Sequence, residues 1–592
     1  MRFSTFGDFA RYLESVGELH RVPFEVDPFL EITEVAARAI REGKPALWFE
    51  RVKGSPYPVV INALASDFRC ELALHKHPQE LGNELIRFFE DALPPHPRVF
   101  WKNRPVARRL LHASVRRVSA GLSQQVVEEP NLDALPVLTC WPGDGGRFIT
   151  LPQVITCDPR TGKRNMGVYR MHVFDRKTTG MHWQIQKGGG FHYYQAEKLG
   201  QPMELAVALG TDPALLLATV AALPENIDEA MFAGFLRGHR TQFAKGKTIS
   251  LPVPANAEFI LEGVVQPGER RMEGPFGDHF GHYSHAAEFP VFHVTAVTHR
   301  HNPVYPATVV GIPPMEDKFL GDATQRILGP LVKLIHSEIT DLWAYYEAGF
   351  HNLLAVAVDQ RYGKEAMKTA LGLMGISQLS LTKCIVLVTE GVDVRSFDAV
   401  LSEIREHFDP RHDFLLLPRV PLDTLDFTSY TMNLGSKMII DATRKSRRRG
   451  GQASGRGPRR HPRIPDLRGV DRRITDQHLM GEALLLVKIR GLGLPVIKRL
   501  VRHPALQQVP LIAAVSDDVE IRDREKTIWG VFTRFDCARD ILFTEQKLVG
   551  ASPVYGGAMG IDATWKPGYP EPLAMSEDVR RRVDERWEQY WR

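Results

Sequence analysis

The sequence predicts a multidomain protein of mixed α/β and α+β class. Its 592 residues exceed what one hydrophobic core usually holds, so two to four domains are expected. Helical periodicity alternates with short apolar runs in the first and last parts of the chain, whereas the middle is rich in short β-type runs. A hydrophobic share of 43% and a charged share of 24% are those of an ordinary globular protein.

Residues 1–115 are expected to form an N-terminal α/β domain. Three helical patterns alternate there with two apolar strand-like runs: Phe6–Val16, Glu31–Arg41 and Pro78–Leu93, with Ala46–Phe49 and Tyr57–Ile61. The first pattern is amphipathic and lacks the apolar core of a signal peptide. No run approaches 18 apolar residues, so no membrane span is expected.

Residues 116–320 are expected to form a β-rich domain, a barrel or a sandwich. Glycine and proline punctuate four β-type runs, Phe148–Cys157, Gly167–Phe174, Phe259–Val265 and Val291–Val297. A helical pattern at Ile227–Leu236 would pack on this sheet. A longer helix-compatible stretch, Ala323–Leu342, follows it.

The remaining chain shows an apparent internal repeat, with a first copy at residues 321–443 and a second, followed by a C-terminal helix, at residues 476–592. Matching segments recur in the same order: Cys384–Val388 with Leu511–Val515, Val392–Arg395 with Val519–Arg522, Phe408–Asp413 with Phe535–Asp540, and Gly435–Thr443 with Gly556–Thr564. Their agreement predicts two copies of one α/β unit. Repeats of this kind more often build scaffold or oligomer contacts than active sites, so no chemistry is placed there.

Residues 444–475 form a basic insertion between the copies. Between Arg444 and Arg473 there are twelve Arg or Lys and two Asp, a charge of +10, and since the whole chain carries +5, the rest carries about −5. The segment has almost nothing apolar to bury, which predicts a flexible linker. The alternative is an arm for nucleic acid or for an anionic membrane. Five scattered cysteines without metal or redox spacing indicate a reducing cytoplasm.

Two motifs carry the chemistry, Asn165-Met-Gly-Val-Tyr-Arg170 and Glu273-Gly-Pro-Phe-Gly-Asp278. They supply one guanidinium and two carboxylates, the latter on a loop that glycine and proline make tight. An Arg170 placed between the acids would keep Glu273 ionised while Asp278 cycles a proton. The spacing alone leaves open a glycine-rich turn whose carboxylates merely face water.

These motifs resemble those of the UbiD family of decarboxylases, which use prenylated FMN. Four segments in the family's order carry the resemblance: Asn165–Arg170, Pro224–Arg237, Val253–Glu258 with Leu261–Gly263, and Glu273–Asp278. It extends to the basic insertion, and the second repeat looks like a further copy of the family's C-terminal unit. The resemblance implies an N-terminal α/β domain, a central split β-barrel that binds the flavin, and a C-terminal domain for homo-oligomerisation.

The resemblance also implies site residues. The catalytic set would be Arg170, Glu273 and Asp278, with Asp278 as the proton donor. Val168, Tyr169, Arg170, Gln186, Lys187 and Gly188 would contact the cofactor. Asn165 and Glu229 match two ligands of a Mn²⁺ or Mg²⁺ ion on the flavin phosphate, with K⁺ nearby.

The third metal ligand of the family is a histidine, which is missing near Gln186 and Lys187. The Gln186 carbonyl could replace it, or Lys187 could neutralise the phosphate directly. His182 is a weaker candidate, because a lone histidine beside Trp183 is more often packed than ligating.

The expected activity is therefore non-oxidative decarboxylation of a hydroxyaryl carboxylic acid by a carboxy-lyase. Because the repeated C-terminal region resembles the larger members of the family, a role in quinone biosynthesis is favoured, menaquinone or ubiquinone. A flavin prenyltransferase would supply the cofactor. The expected location is the cytoplasm, with peripheral contact to the inner membrane if the substrate is prenylated.

Two other classes compete with this interpretation. A flavin-binding oxidoreductase would need a hydride donor, and the sequence has no dinucleotide fingerprint. A nucleic-acid-binding protein would rely on the Arg-rich arm, which lacks interleaved aromatics. Nucleic acid is therefore not expected as a partner.

Overall fold

The computed structural model describes residues 3–92, 96–184, 187–224, 227–429, 431–445 and 462–592. The chain forms two compact units. Unit 1 comprises residues 1–328 and 571–592, and unit 2 comprises residues 329–570. The insertion predicted at 444–475 lies largely outside the described residues, since 446–461 are not among them.

Unit 1 contains sixteen strands and eleven α-helices among its described residues. Its strands are β1 (Leu19–Val26), β2 (Ala46–Val52), β3 (Val59–Ile61), β4 (Val115–Arg117), β5 (Val126–Glu128), β6 (Arg147–Ile149), β7 (Gln153–Cys157), β8 (Arg164–Val168), β9 (Met171–Val173), β10 (Thr178–Gly180), β11 (Met203–Leu209), β12 (Thr241–Lys245), β13 (Pro252–Pro254), β14 (Phe259–Glu273), β15 (Ala287–His299) and β16 (Tyr305–Ala307). Its helices before residue 329 are α1 (Phe6–Ser15), α2 (Glu31–Arg41), α3 (Asp67–Leu74), α4 (Pro78–Asp91), α5 (Pro97–Lys102), α6 (Arg104–Leu110), α7 (Gly188–Lys198), α8 (Pro213–Val220), α9 (Glu229–Arg237) and α10 (Glu316–Leu328).

The first strands of unit 1 form a small mixed sheet. Its order is β1-β2-β3-β16, with β1 and β2 parallel, β2 and β3 antiparallel, and β3 and β16 parallel. Helix α1 begins where Thr5 and Asp8 form a capping box, and it buries Phe6, Phe9 and Leu13. The predicted helix at Glu31–Arg41 is observed with the same bounds.

The centre of unit 1 is a nine-stranded sheet with the order β6-β9-β10-β15-β14-β11-β7-β8, and β5 pairs with β15. All its pairings are antiparallel. Two predicted runs are each divided into two strands, Phe148–Cys157 into β6 and β7, and Gly167–Phe174 into β8 and β9. Arg170 lies in the second break, between β8 and β9, and so its backbone is outside the strands.

The helix expected over Ala323–Leu342 is a wrong prediction. Helix α10 begins earlier, at Glu316, and ends at Leu328. Gly329 and Pro330 follow it directly, and neither residue favours continuing a helix. Ile339–Ala344 is a strand instead, because it pairs with Leu354–Val358.

Unit 2 consists of two five-stranded sheets with their helices. The strands are β17 (Ile339–Ala344), β18 (Leu354–Val358), β19 (Cys384–Thr389), β20 (Phe414–Pro421), β21 (Leu434–Asp441), β22 (Ile474–Met480), β23 (Leu484–Ile489), β24 (Leu511–Ser516), β25 (Ile541–Val549) and β26 (Ser552–Ala563). The helices are α11 (Glu365–Leu373), α12 (Phe397–His407), α13 (Pro410–Asp413), α14 (Leu494–Leu500) and α15 (Arg524–Phe532).

The two sheets of unit 2 have matching topology. Their orders are β17-β18-β19-β21-β20 and β22-β23-β24-β26-β25. In each sheet the outer pairings are antiparallel and the two inner pairings are parallel. This match supports the predicted duplication, which stays a prediction.

The chain returns to unit 1 after unit 2, through residues 571–592 and helix α16 (Glu577–Arg586). Helix α16 packs against α2. There, Arg586 Nη1 donates to Glu31 Oε1 at 2.7 Å, and the buried Tyr590 hydroxyl donates to the same oxygen. None of the described helices has the length and apolar character needed to cross a membrane. The predicted mixed α/β multidomain class is confirmed.

Candidate active site

Arg170 lies between the two predicted carboxylates. Its Nε donates to Glu273 Oε1 at 3.0 Å and its Nη2 donates to Glu273 Oε2 at 3.1 Å. Its Nη1 donates to Asp278 Oδ2. All three side chains are buried, and Glu273, the last residue of β14, is 0% exposed. The structure therefore brings together the three residues that the sequence analysis singled out, and it excludes the open alternative of a turn facing water.

Two further side chains complete the contacts of Arg170. Nη2 donates to Ser284 Oγ at 2.9 Å. His182 Nδ1 lies 3.1 Å from Arg170 Nη2 and 3.1 Å from Glu273 Oε2. Burial and the Arg170 charge lower the pKa of His182, which favours a neutral imidazole. His182, the weaker metal candidate, is thus a partner of the Arg170 cluster.

The cluster keeps both carboxylates ionised at neutral pH. Burial alone would raise the pKa of Glu273, but the Arg170 guanidinium and the hydrogen bond with His182 outweigh it and lower the pKa to about 2. Burial opposes ionisation of Asp278 as well, and Arg170 and His279 again bring its pKa below the ordinary value. Asp278 Oδ1 lies 2.7 Å from both the backbone nitrogen and Nδ1 of His279. In this arrangement Asp278 is an acceptor and holds no proton to donate.

A third carboxylate, Asp144, holds the loop that carries Asp278. Its Oδ1 accepts from Gly277 N at 2.8 Å, and its Oδ2 accepts from Trp141 N at 2.9 Å and from Cys140 N at 3.0 Å. Burial raises the pKa of Asp144 to about 6 despite these bonds. No motif in the sequence predicts this role of Asp144, although its position in the turn-rich Gly143-Asp-Gly-Gly146 segment is an available signal.

Glycine is required at one position of that loop. Gly274 has a φ of +88°, a region that residues with a Cβ rarely enter. A Cβ on Gly145 would also lie 2.2 Å from the Gly274 carbonyl oxygen. The backbone of the loop is therefore fixed by close contact with residues 140–146.

The predicted metal ligands lie near the N-terminus of α7. Asn165 is on β8 and Glu229 is the first residue of α9. Glu229 Oε2 accepts from Met166 N at 2.9 Å, directly beside Asn165. A Cβ on Gly188, the first residue of α7, would lie 2.1 Å from Asn165 Oδ1. Asn165, Glu229 and the start of α7 thus meet at one place, and a side chain at residue 188 would displace the Asn165 amide.

The predicted cofactor contacts flank the same place. Tyr169 is buried, and its hydroxyl accepts from Gly189 N at 3.3 Å and lies 3.3 Å from Asn165 Nδ2. Lys187 is the N-cap residue of α7, and Val168 is the last residue of β8. Gln186 lies outside the described residues. The structure therefore places Tyr169, Lys187 and Gly188 around one helix N-terminus, whereas Arg170 lies in the cluster with Glu273 and Asp278.

The residues present fit a phosphate and a divalent cation. A helix N-terminus presents backbone N–H groups to anions, and amide and carboxylate oxygens are ligands for Mn²⁺ or Mg²⁺. Burial raises the pKa of Glu229 to about 7, as expected of a carboxylate that lacks a full counter-charge. Trp183 Nε1 and His182 Nε2 are buried without a hydrogen-bond partner among the described residues. Within the same residues no group of three His, Cys, Asp or Glu could hold a metal alone.

A buried arginine paired with two acids, together with a site suited to a phosphate, is the arrangement expected of an enzyme that handles a carboxylate with a phosphorylated cofactor. The chain belongs to the UbiD family. It matches the N-terminal domain of 3-octaprenyl-4-hydroxybenzoate carboxy-lyase over residues 10–89, the Rift-related domain over residues 114–313, and the C-terminal domain over residues 318–442 and 474–563. The predicted family and carboxy-lyase class are confirmed.

Similar proteins include several decarboxylases. A protein of Chlamydia pneumoniae that is named as one of the subunits of 4-hydroxybenzoate decarboxylase is 36% identical over 574 residues, which is 96% of this chain and 95% of that protein. The closed form of the vanillic acid decarboxylase of Sedimentibacter hydroxybenzoicus has a TM-score of 0.70 at 26% identity and covers 79% of this chain and 98% of its own. An evolved dimeric form of the UbiD-class enzyme HmfF from Pelotomaculum thermopropionicum, in complex with prFMN, has a TM-score of 0.61 at 27% identity and covers 74% of this chain and 95% of its own.

Proposed function

We propose that this protein decarboxylates an aromatic, hydroxyaryl carboxylic acid without net oxidation, using prenylated FMN. The observation that carries the proposal is the buried Arg170, which bridges Glu273 and Asp278 in a chain of the UbiD family. A structural neighbour in complex with prFMN supports the cofactor. The net reaction takes up one proton for each carbon dioxide released.

Arg170 is proposed to orient the substrate carboxylate. Its guanidinium is already neutralised by two acids, so an arriving third carboxylate must compete for its donors. Glu273 is fully buried and held by two of those donors, and it is proposed to stay ionised. Asp278 accepts from one guanidinium nitrogen of Arg170 and lies in a loop. The substrate carboxylate is therefore proposed to displace Asp278, and not Glu273, from Arg170.

Displacement would convert Asp278 into a proton donor. Without its Arg170 contact and beside a second negative charge, the pKa of Asp278 rises, because a like charge disfavours the ionised form. A protonated Asp278 can then deliver its proton to the ring carbon that carbon dioxide has left. Without substrate, Asp278 is therefore ionised. It becomes protonated only when the substrate carboxylate displaces it from Arg170.

Prenylated FMN, when bound, supplies an acceptor for the electron pair left by carbon dioxide. Asn165 and Glu229 would hold a Mn²⁺ or Mg²⁺ ion on its phosphate, with K⁺ nearby, and the start of α7 with Lys187 would supply donors and positive charge. The buried Trp183 Nε1 is a further donor available to the cofactor. These residues bind and orient, while Arg170 and Asp278 handle the carboxylate and the proton.

The substrate is proposed to be a hydroxyaryl acid of quinone biosynthesis, in the menaquinone or the ubiquinone pathway. A relative named for 4-hydroxybenzoate decarboxylase supports the hydroxyaryl ring. A flavin prenyltransferase as cofactor supplier, a homo-oligomer and a cytoplasmic location belong to the same proposal.

The test is to co-express the chain with a flavin prenyltransferase, identify the released cofactor by mass spectrometry and absorption, and screen hydroxyaryl acids for loss of carbon dioxide. In D₂O the product should carry one deuterium at the carbon that bore the carboxylate. Arg170→Ala and Glu273→Gln should abolish turnover, whereas Arg176→Ala and Glu71→Gln, which change two exposed side chains, should leave it unchanged. Cofactor-loaded protein that decarboxylates no aromatic acid would overturn the proposal.

A further inference from the structure

One stretch of unit 1, distant in sequence from Arg170, is strongly basic. From Ala92 to Val127 the chain holds seven Arg or Lys and no Asp or Glu. Helices α5 and α6 and strand β4 occupy this stretch, and residues 96–117 are referred to below as the α5–β4 surface. Six of its seven cations are exposed: Arg98, Lys102, Arg104, Arg108, Arg116 and Arg117.

Little of this charge is compensated locally. Lys102 Nζ lies 3.0 Å from Asp91 Oδ2. None of the other six cations forms an ion pair with a carboxylate in the part of the chain that the structure describes. Six like charges within 20 residues repel one another, so the surface gains by meeting an anionic partner.

The same surface exposes two large apolar side chains. Trp101 is 77% exposed and Leu111 is 71% exposed. The other eight tryptophans of the chain are buried or half-buried. Helix α6 packs against α4 and α9 and buries Val106, whereas Trp101 and Leu111 are mostly in solvent and contribute little to the core.

We propose that the α5–β4 surface binds the surface of a lipid bilayer that contains acidic lipids. Clustered Arg and Lys are attracted to acidic headgroups, and indole and leucine side chains enter the boundary between headgroups and acyl chains. A nucleic acid would satisfy the same cations, but it offers no apolar layer for Leu111, and a single tryptophan is not a run of stacking platforms.

The surface is connected to the proposed site through α9. Helix α6 packs on α9, whose first residue is Glu229. If the proposed substrate is a prenylated acid dissolved in the membrane, this surface would bring unit 1 to it. This role in reaching a membrane-dissolved substrate rests on the proposed function, whereas the binding of acidic lipid does not.

The experiment is flotation of the full-length protein, without cofactor or substrate, with vesicles of phosphatidylcholine alone or mixed with phosphatidylglycerol. The protein should float only with the mixed vesicles, and less as the salt concentration rises. Arg104→Ser/Arg108→Ser/Arg116→Ser should weaken partitioning about 100-fold, since each charge contributes about fivefold. Trp101→Ala should weaken it about tenfold, since the apolar area of an indole removed from water contributes at least about that factor.

Matched controls change the same residue types elsewhere. Arg160→Ser/Arg176→Ser/Arg502→Ser removes three exposed arginines outside the surface, and Leu548→Ala removes an apolar side chain that is 74% exposed. Both variants should float like the parent. Circular dichroism and melting curves that match the parent establish that each variant is folded.

Four outcomes would overturn the proposal: no binding to the mixed vesicles, equal binding by the triple variant of the surface, binding lost only when residues 446–461 are deleted, or binding to RNA but not to vesicles. Because no cofactor or substrate is present, failure of the lipid proposal says nothing against decarboxylation. Equally, a protein that floats but decarboxylates nothing refutes only the proposed function.

Discussion

The contact between Arg170 and Glu273 should make a large, measurable contribution to the stability of unit 1. The pKa of Glu273 falls from its ordinary 4.5 to about 2, and each pKa unit corresponds to about 1.4 kcal/mol. Ionisation of Glu273 therefore stabilises the folded state by about 3 kcal/mol. Because the folded pKa is the lower one, this stabilisation is complete above about pH 4.5 and is lost as the pH falls through about 2.

A double-mutant cycle measures the contribution directly. Urea denaturation at pH 7, followed by circular dichroism, would compare the parent with Arg170→Met, Glu273→Gln and the double variant. Each single change should lower the free energy of unfolding by about 3–5 kcal/mol, because it leaves a buried charge without its main partner. The double change should cost less than the sum by about 2 kcal/mol.

The control cycle uses Arg176→Met and Glu71→Gln, two exposed side chains with no contact to each other among the described hydrogen bonds and ion pairs. Their effects should be small and additive. A coupling free energy below about 0.5 kcal/mol between Arg170 and Glu273 would refute the reasoning, since it would mean that the pair does not form in a buried environment.

Three further predictions concern the site. Asp278→Asn should lower kcat of cofactor-loaded protein by about 10²–10⁴-fold, the range for loss of a general acid, whereas Asp278→Glu should retain activity; equal rates for the parent and Asp278→Asn in a carbon dioxide assay would assign the proton to another donor. Glu229→Ala should lower flavin content after gel filtration while circular dichroism shows that the variant is still folded, and flavin content equal to that of the parent would remove the metal proposal. Asp144→Asn should lower kcat about tenfold, the effect of one weakened hydrogen bond to the loop, while flavin content is kept; unchanged kcat would show that Asp144 does not position Asp278.

The site was predictable from the sequence to the extent that its residues lie in compact motifs. Arg170, Glu273 and Asp278 were found because glycine and proline beside charged residues indicate a tight, polar loop. Asp144 was missed because it acts on the loop through backbone N–H groups, and such acceptors leave no paired residue type in the sequence. His182 is only a weak metal candidate in the sequence, and its contact with Glu273 is not predictable there, because the two residues are 91 positions apart.

The fold was predictable where one pattern continued without interruption. Helix α2 was found with its bounds because its apolar spacing is regular and long. The helix predicted over Ala323–Leu342 is wrong because the apolar spacing of a helix and that of a half-buried strand look alike over short runs. Residues 339–344 form a strand because they pair with β18. A local sequence pattern does not contain this tertiary pairing.

The interleaving of the two units affects how the protein can fold during synthesis. Residues 571–592 pack on α2, and they meet the loop after Asp278 where Leu573 N donates to Gly281 O at 2.9 Å. This segment leaves the ribosome only after all of unit 2, although domains generally fold as units in the order of their synthesis. The nascent first unit must therefore wait, with α2 and the loop uncovered, until residues 329–570 have been translated. A stop codon near residue 571 would then leave unit 2 complete but remove the segment that packs on α2 and on the loop after Asp278.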